Sequence, residues 1–352
     1  MDFLFLLLLC ISAYQVRFSG FRGLYEDYLS VKSTESLRGI CAVYVILYHL
    51  SYEVTSGHSL FLFLRLPLSL ACISVFLFLS GYGTMHQYLA KGKVYFQNFL
   101  QKRMLKLLVP YFIALMMCFF VFLSIGILPS WPQLIEGLSK GFTFLPFSWY
   151  VIALILFTFA FYLVFSSCSS KVGVIVMTLF TVIYTCICRW LGFPFWWYTP
   201  IFCFPLGLFW ANYESRIFAL SKRYYYVILG ILLFIFAAFA LIVWLGWIPF
   251  EEGRAIEKIF VTPMLCVVVM FVIQKIKFSN KILETISSFS FEMYLTHGMI
   301  IRLFRNAHIW IRSDFVYVAT VISTVLIVSA LLHRLIVIFF KSSFFKKATR
   351  AS

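Results

Sequence analysis

The stretch Glu35-Ser-Leu-Arg38-Gly-Ile-Cys-Ala-Val-Tyr-Val-Ile-Leu-Tyr-His49 reads as one apolar helix with a cation near its start and an imidazole eleven residues later. An α-helix turns ~100° and rises ~1.5 Å per residue, so Arg38 and His49 lie within ~20° of one face and ~16 Å apart along the axis. If Arg38 marks a membrane surface, His49 falls near the middle of the bilayer. Ionisable groups inside a membrane are costly and default to functional candidates. A neutral imidazole is what a general base or an acyl-accepting nucleophile needs. Glu53 follows one turn later and is spaced to orient the ring. The plain alternative is a histidine that bonds a neighbouring helix and does no chemistry.

The rest of the chain supports lipid as the solvent. Of 352 residues, 63% are hydrophobic and 12% charged, against about half and a quarter in an average soluble domain. One crossing needs ~20 mostly apolar residues. Ten such spans are expected, near 37–55, 66–89, 107–128, 148–166, 172–191, 197–213, 224–245, 258–274, 287–306 and 315–340. The fold class is therefore an all-α integral membrane protein, a single polytopic bundle of about ten transmembrane helices. Residues 1–36 form a short apolar segment and a polar cytoplasmic stretch, 37–340 the transmembrane domain and 341–352 a basic tail. The run from Phe3 to Val16 is short for a span and lacks the marks of a signal peptide. It fits an interfacial helix or a half-span.

The formal net charge of +16 comes from 29 Lys plus Arg against 13 acids. In a membrane protein this excess belongs to the cytoplasmic loops rather than to a nucleic-acid interface. Basic residues fall after the second expected span (Lys91, Lys93, Lys102, Arg103, Lys106), the sixth (Arg216, Lys222, Arg223), the eighth (Lys275, Lys277, Lys281) and in the tail. Ten spans put all of these on one side with the N-terminus, so both termini are expected in the cytoplasm. Arg302, Arg305 and Arg312 are the exception, at the outer end of the ninth span. They fit a site for an anionic acceptor or, more simply, interfacial snorkelling. The nine Cys are scattered through apolar runs and form no disulfide framework or metal set.

Three further stretches carry polar groups into the spans. Ser80-Gly81-Tyr82-Gly83 puts small residues near a cytoplasmic helix end, where a helix or a cofactor can approach the backbone. Arg103 and Lys106, three apart, share a helix face and enter the membrane from the cytoplasm. They fit a phosphate grip or ordinary anchoring. Tyr294 and His297 share a face in the ninth span, whereas Glu292 is about 140° away from His297.

Taken in order, these stretches resemble the acyltransferase-3 family of integral membrane acyltransferases. The resemblance rests on Glu35, Arg38, Gly39 and His49; on Phe76 to Tyr82; on Arg103, Lys106, Pro110 and Tyr111; on Trp149-Tyr150; on Phe204 to Gly207; and on Tyr294 to His297. It implies transfer of an acyl group, commonly acetyl from acetyl-CoA as co-substrate, onto a hydroxyl of an envelope glycan or glycolipid, in the manner of bacterial glycan O-acetyltransferases. It also implies that Arg38 and His49 are the functional pair. The expected donor site is then Arg38, Arg103, Lys106, Ser80 and Gly81, with Glu35, Glu53, Tyr294 and His297 as orienting or path-lining groups and no metal. Lys106 stands where the family usually has Arg, and Ser74 where it often has Asp. The bacterial cytoplasmic membrane is the implied location. The competing class is a glycan or lipid transporter or flippase, which also uses many spans and buried polar residues. A regulatory membrane protein without the chemistry is a third reading, against which Arg38 and His49 both weigh.

Overall fold

The computed structural model describes residues 2–54, 68–245 and 250–341. The expected basic tail beyond Lys341 lies outside the described residues. The chain is an all-α membrane protein: α1 (Asp2–Ala13), α2 (Val31–Glu53), α3 (Leu68–Lys91), α4 (Phe99–Ser124), α5 (Trp131–Ser139), α6 (Trp149–Ser167), α7 (Ser170–Trp190), α8 (Cys203–Trp244), α9 (Phe250–Lys275), α10 (Lys281–Ser288), α11 (Ser290–Leu303) and α12 (Asp314–Lys341). Two three-residue strands, β1 (Val16–Phe18) and β2 (Ile276–Phe278), pair antiparallel with Arg17 opposite Lys277.

Within the described residues, every expected span overlaps helix, the sixth of them only from Cys203 on. Among the described residues, six helices or parts of helices are long and apolar enough to cross a bilayer. They fall in α4, α6, α7, α8, α9 and α12. The remaining spans escape that test for physical reasons. In α2, Lys32, Glu35 and Arg38 occupy the first turns. The 14-residue α11 is buried from Glu292 through Ile301, so neighbouring helices shield it from lipid and it needs no apolar surface.

The seventh expected span and most of the sixth, with the basic connector between them, fall within α8 as helical segments joined across kinks. Non-helical backbone at Tyr213 and Tyr224 breaks the helix. Before the first break Trp210 packs edge-on to Phe78 of α3, and after the second Tyr225 donates from its hydroxyl to the Phe271 carbonyl of α9 (2.9 Å). The amphipathic α5 was not expected. It starts in a capping box of Ser130 and Gln133 and leaves Trp131, Ile135 and Leu138 exposed, which suits a helix lying at the membrane surface. The apolar α1 has 12 residues and rises about 18 Å, short of the ~30 Å hydrocarbon layer.

The basic connectors converge at one end of the bundle. There Lys222 pairs with Glu26 (2.7 Å) and Lys277 with Asp27 (2.6 Å). The Lys275 ammonium donates to the carbonyls of Gly20 (3.0 Å), Phe21 (2.6 Å) and Gly23 (2.9 Å), fastening the segment before α2 to the end of α9. Tyr82 of α3 donates to the Glu214 carboxylate of α8 at the same end (2.9 Å). This is the common side that loop charge assigns to the cytoplasm.

Candidate active site

At the start of α2 the Ser30 hydroxyl caps the helix by accepting from the Ser33 amide (3.1 Å), which fixes where the helix begins in the basic layer. Gly39 then lets α2 close on α10, since a Cβ there would lie 2.1 Å from the Leu283 carbonyl oxygen. This register places Arg38 in a cavity of about 450 Å³ at the basic end, with Tyr82, His86 and Glu214 also in its wall. Arg38 makes one long hydrogen bond, Nη2 to the Val31 carbonyl (3.4 Å), and its buried Nε has no partner among the described residues.

Arg103 and Lys106 line a separate cavity of about 500 Å³, together with Lys91, Lys102 and Tyr95. Arg103 Nη2 donates to the Ser80 hydroxyl (2.9 Å), while its Nε is a second buried guanidinium N–H without a partner among the described residues. The structure thus joins Ser80 to Arg103 but does not bring Arg38 into the same cavity. Gly81 is not available to a donor. A Cβ on it would lie 2.2 Å from the Phe204 carbonyl oxygen, and Gly207 meets Phe78 in the same way, so the Ser-Gly-Tyr stretch is a close crossing of α3 and α8. Glu35 is half-buried near the start of α2 and lines neither cavity.

His49 lies at the other end. The midpoint of α2 is near Ala42, and His49 is one turn from Glu53, where the helix stops. It therefore sits in the half of α2 away from the basic end. His49 lines a cavity of about 360 Å³ whose wall is mostly aromatic: Tyr48, Phe142, Phe147, Trp149, Trp196 and Tyr294 among others. Glu53 and Arg302 are its charged members. No hydrogen bond joins Glu53 to His49 among the described residues. The Glu53 carbonyl instead accepts from Arg305 Nη1, which ties the end of α2 to the segment after α11.

The loop between α5 and α6 forms the ceiling of the imidazole. Phe147 has φ +66°, a left-handed conformation that is unusual for a bulky residue. Two contacts hold it there. The Tyr294 hydroxyl donates to the Phe147 carbonyl, and Gly298 leaves room for Pro146 and Phe147, which a Cβ would meet at 2.7 and 2.9 Å. The Phe147 ring consequently stacks on His49, with centroids 3.8 Å apart and planes 27° apart. His297 completes a triangle of rings, 5.2 Å from His49 and 5.2 Å from Phe147.

Glu292, away from His297 as the helical wheel predicted, binds His333 of α12 (3.0 Å). Arg305 is not a snorkelling cation. It is buried, pairs with Asp314 at the start of α12 and lies over the Tyr317 ring (4.1 Å). Arg302 is exposed at the cavity. Sequence reasoning missed Phe147, because no Gly, Asn or Asp marks its left-handed backbone.

A helical bundle that sets an imidazole in an aromatic chamber at one end and unpaired guanidinium N–H groups at the other defines a multi-pass membrane protein fitted for group transfer. The family model for the acyltransferase domain matches residues 31–334, and the chain belongs to this family, the acyltransferase-3 proteins. It is a membrane acyltransferase. Comparison with curated proteins and with solved structures gives no match.

Proposed function

We propose that the protein moves an acetyl group from acetyl-CoA, taken up at the basic and cytoplasmic end, to a hydroxyl of an envelope sugar, polysaccharide or glycolipid at the other end, in a bacterial cytoplasmic membrane. The observation that carries this reading is the position of His49. It stands on the wall of the aromatic cavity, on the same helix as Arg38 but at the end of the bundle opposite the basic one. The unpartnered Nε groups of Arg38 and Arg103 suit the phosphates of a nucleotide donor, since guanidinium groups bind such oxygens through charge-assisted hydrogen bonds. Aromatic walls suit a sugar, which has apolar ring faces as well as hydroxyls.

In this mechanism the thioester carbonyl is brought to His49. The imidazole either removes the proton of the acceptor hydroxyl as that oxygen attacks, or takes the acyl group first and passes it on. Tyr294 fixes Phe147 over the ring, so the imidazole is held in one orientation before substrate arrives.

The test uses protein in nanodiscs with labelled acetyl-CoA and membrane lipid-linked glycans. His49→Ala is expected to lower turnover by ~10²–10⁴-fold, the usual weight of a general acid–base group, and to leave donor binding in place. Arg38→Ala is expected to raise the KM for acetyl-CoA more than Arg302→Ala does. Acetylation and CoA release that persist in a folded His49→Ala protein would sink the assignment.

A further inference from the structure

His297 has one nitrogen whose role nothing so far explains. The residue is fully buried in α11. Its Nδ1 lies 2.7 Å from the Tyr294 carbonyl oxygen. A carbonyl can only accept, so Nδ1 carries the hydrogen and Nε2 is left with a bare lone pair. That Nε2 is buried without a partner among the described residues. Leaving such an acceptor unsatisfied costs about 1–3 kcal/mol, so a purely structural histidine is a poor account of it.

The surroundings of Nε2 suggest its use. The His49 ring centroid is 5.2 Å from that of His297, with planes 34° apart. Two imidazoles joined edge to edge by a hydrogen bond of ordinary length have centroids about 5 Å apart. Both rings lie close to parallel with Phe147, at 27° for His49 and 14° for His297. The strained phenyl therefore holds the two imidazoles beside each other, at a centroid separation that an edge-to-edge hydrogen bond requires.

We propose that His297 is the proton acceptor behind His49, acting through Nε2. This rests on His49 being the catalytic residue, and it holds for either route open to His49. When His49 is the base, its free nitrogen takes the proton of the acceptor hydroxyl while its N–H gives a proton to His297 Nε2. The hydroxyl oxygen bonds to the acyl carbon, the C–S bond breaks and its electron pair leaves on sulfur. The proton then returns by the same path to the thiolate, giving free CoA, an ester and two neutral imidazoles. When His49 carries the acyl group, its nitrogen bonds to the acyl carbon and its N–H proton passes to His297 Nε2. The C–S bond breaks in that step and its electron pair leaves on sulfur; the acceptor oxygen then bonds to the acyl carbon as the N–acyl bond breaks, the hydroxyl proton goes to the thiolate to give free CoA, and the proton on His297 returns to His49. His297 is thus a positioning and relay residue that never touches the acyl group.

The decisive variant is His297→Asn, whose amide keeps a donor toward the Tyr294 carbonyl and removes Nε2. In nanodiscs, with acetyl-CoA as donor and either extracted lipid-linked glycans or n-octyl glucoside as hydroxyl acceptor, its kcat is expected to fall ~10²-fold or more, with an unchanged KM for acetyl-CoA. Added imidazole is expected to restore part of the rate in His297→Ala, which a packing defect would not allow. Independently of any acceptor, nitrogen-15 NMR of histidine-labelled protein is expected to show His297 protonated on Nδ1 and bare on Nε2, with a signal that moves in His49→Ala. A wild-type kcat in His297→Asn, or a resting proton on Nε2, overturns the relay. Turnover that survives His49→Ala defeats the underlying assignment of His49 instead, so the two failures are told apart.

Discussion

At the Arg38 end of α2 the chain is held by several polar links, two of them ion pairs with one or both partners open to solvent: Lys222 with Glu26 and Lys277 with Asp27. At the His49 end it is held by one buried ion pair, Arg305 with Asp314, and by stacked rings. The basic end also keeps guanidinium N–H groups without partners among the described residues, while at the other end Arg305 is neutralised by Asp314 and the aromatic rings are locked. Exposed charge pairs add little stability and leave room for a charged ligand to come and go. A buried pair fixes geometry, and losing half of it is costly. Under the proposed function, the difference suits an end that exchanges an anionic donor and an end that orients an imidazole.

The largest effect should come from breaking the rigid end. Arg305→Gln removes the cation buried against Asp314 and frees the Glu53 carbonyl, so a loss of about 3–5 kcal/mol is expected in denaturant titration of the protein in mild detergent. A loss no greater than that of Lys222→Ala would break the comparison. Next comes Gly81→Val, at the α3–α8 crossing, where the new Cβ meets the Phe204 carbonyl. Overpacking of this kind costs about 1–3 kcal/mol, and the midpoint of thermal unfolding should fall accordingly. If donor affinity alone changed and stability did not, Gly81 would belong to the donor site after all. Lys222→Ala, in an exposed pair, is expected to cost ~1 kcal/mol or less, with an effect that fades in high salt.

The smallest effect is one of pH. The hydrogen bond from Lys277 holds the Asp27 carboxyl below its ordinary pKa, against a lesser effect of burial. A depressed folded-state value means the link stabilises the protein above the unfolded pKa of about 4 and is lost as pH falls through the folded value. Because Asp27 is more than half exposed, the contribution stays below ~1 kcal/mol. Asp27→Asn should therefore lose less stability than wild type between pH 5 and the acid limit, measured as unfolding temperature against pH.

The residues of α2 made much of this legible beforehand. The spacing of Arg38 and His49, the small residues of α3 and the order of basic loops follow from helical period and charge, which act locally. Within the described residues, the apolar runs largely reappear as helix for the same reason. What sequence alone could not supply depends on contacts between distant segments. The β1–β2 pair is three residues long on each side and joins residues far apart in the chain, so no alternation marks it. The breaks at Tyr213 and Tyr224 leave an unbroken helical pattern on either side. The left-handed backbone of Phe147 is imposed by Tyr294 and Gly298, not by its own side chain.

The fastening of the segment before α2 to Lys275 has a consequence for how the protein is made. Lys275 and the carbonyl of Gly20 are 255 positions apart. A ribosome releases the early segment long before its partner exists, and long-range pairings of this kind form late. The helix that carries Arg38 and His49 thus enters the membrane among the first and receives its final anchorage near the last. Until that clasp shuts, the basic end of the bundle stays incomplete while the aromatic end of the same helix is already embedded.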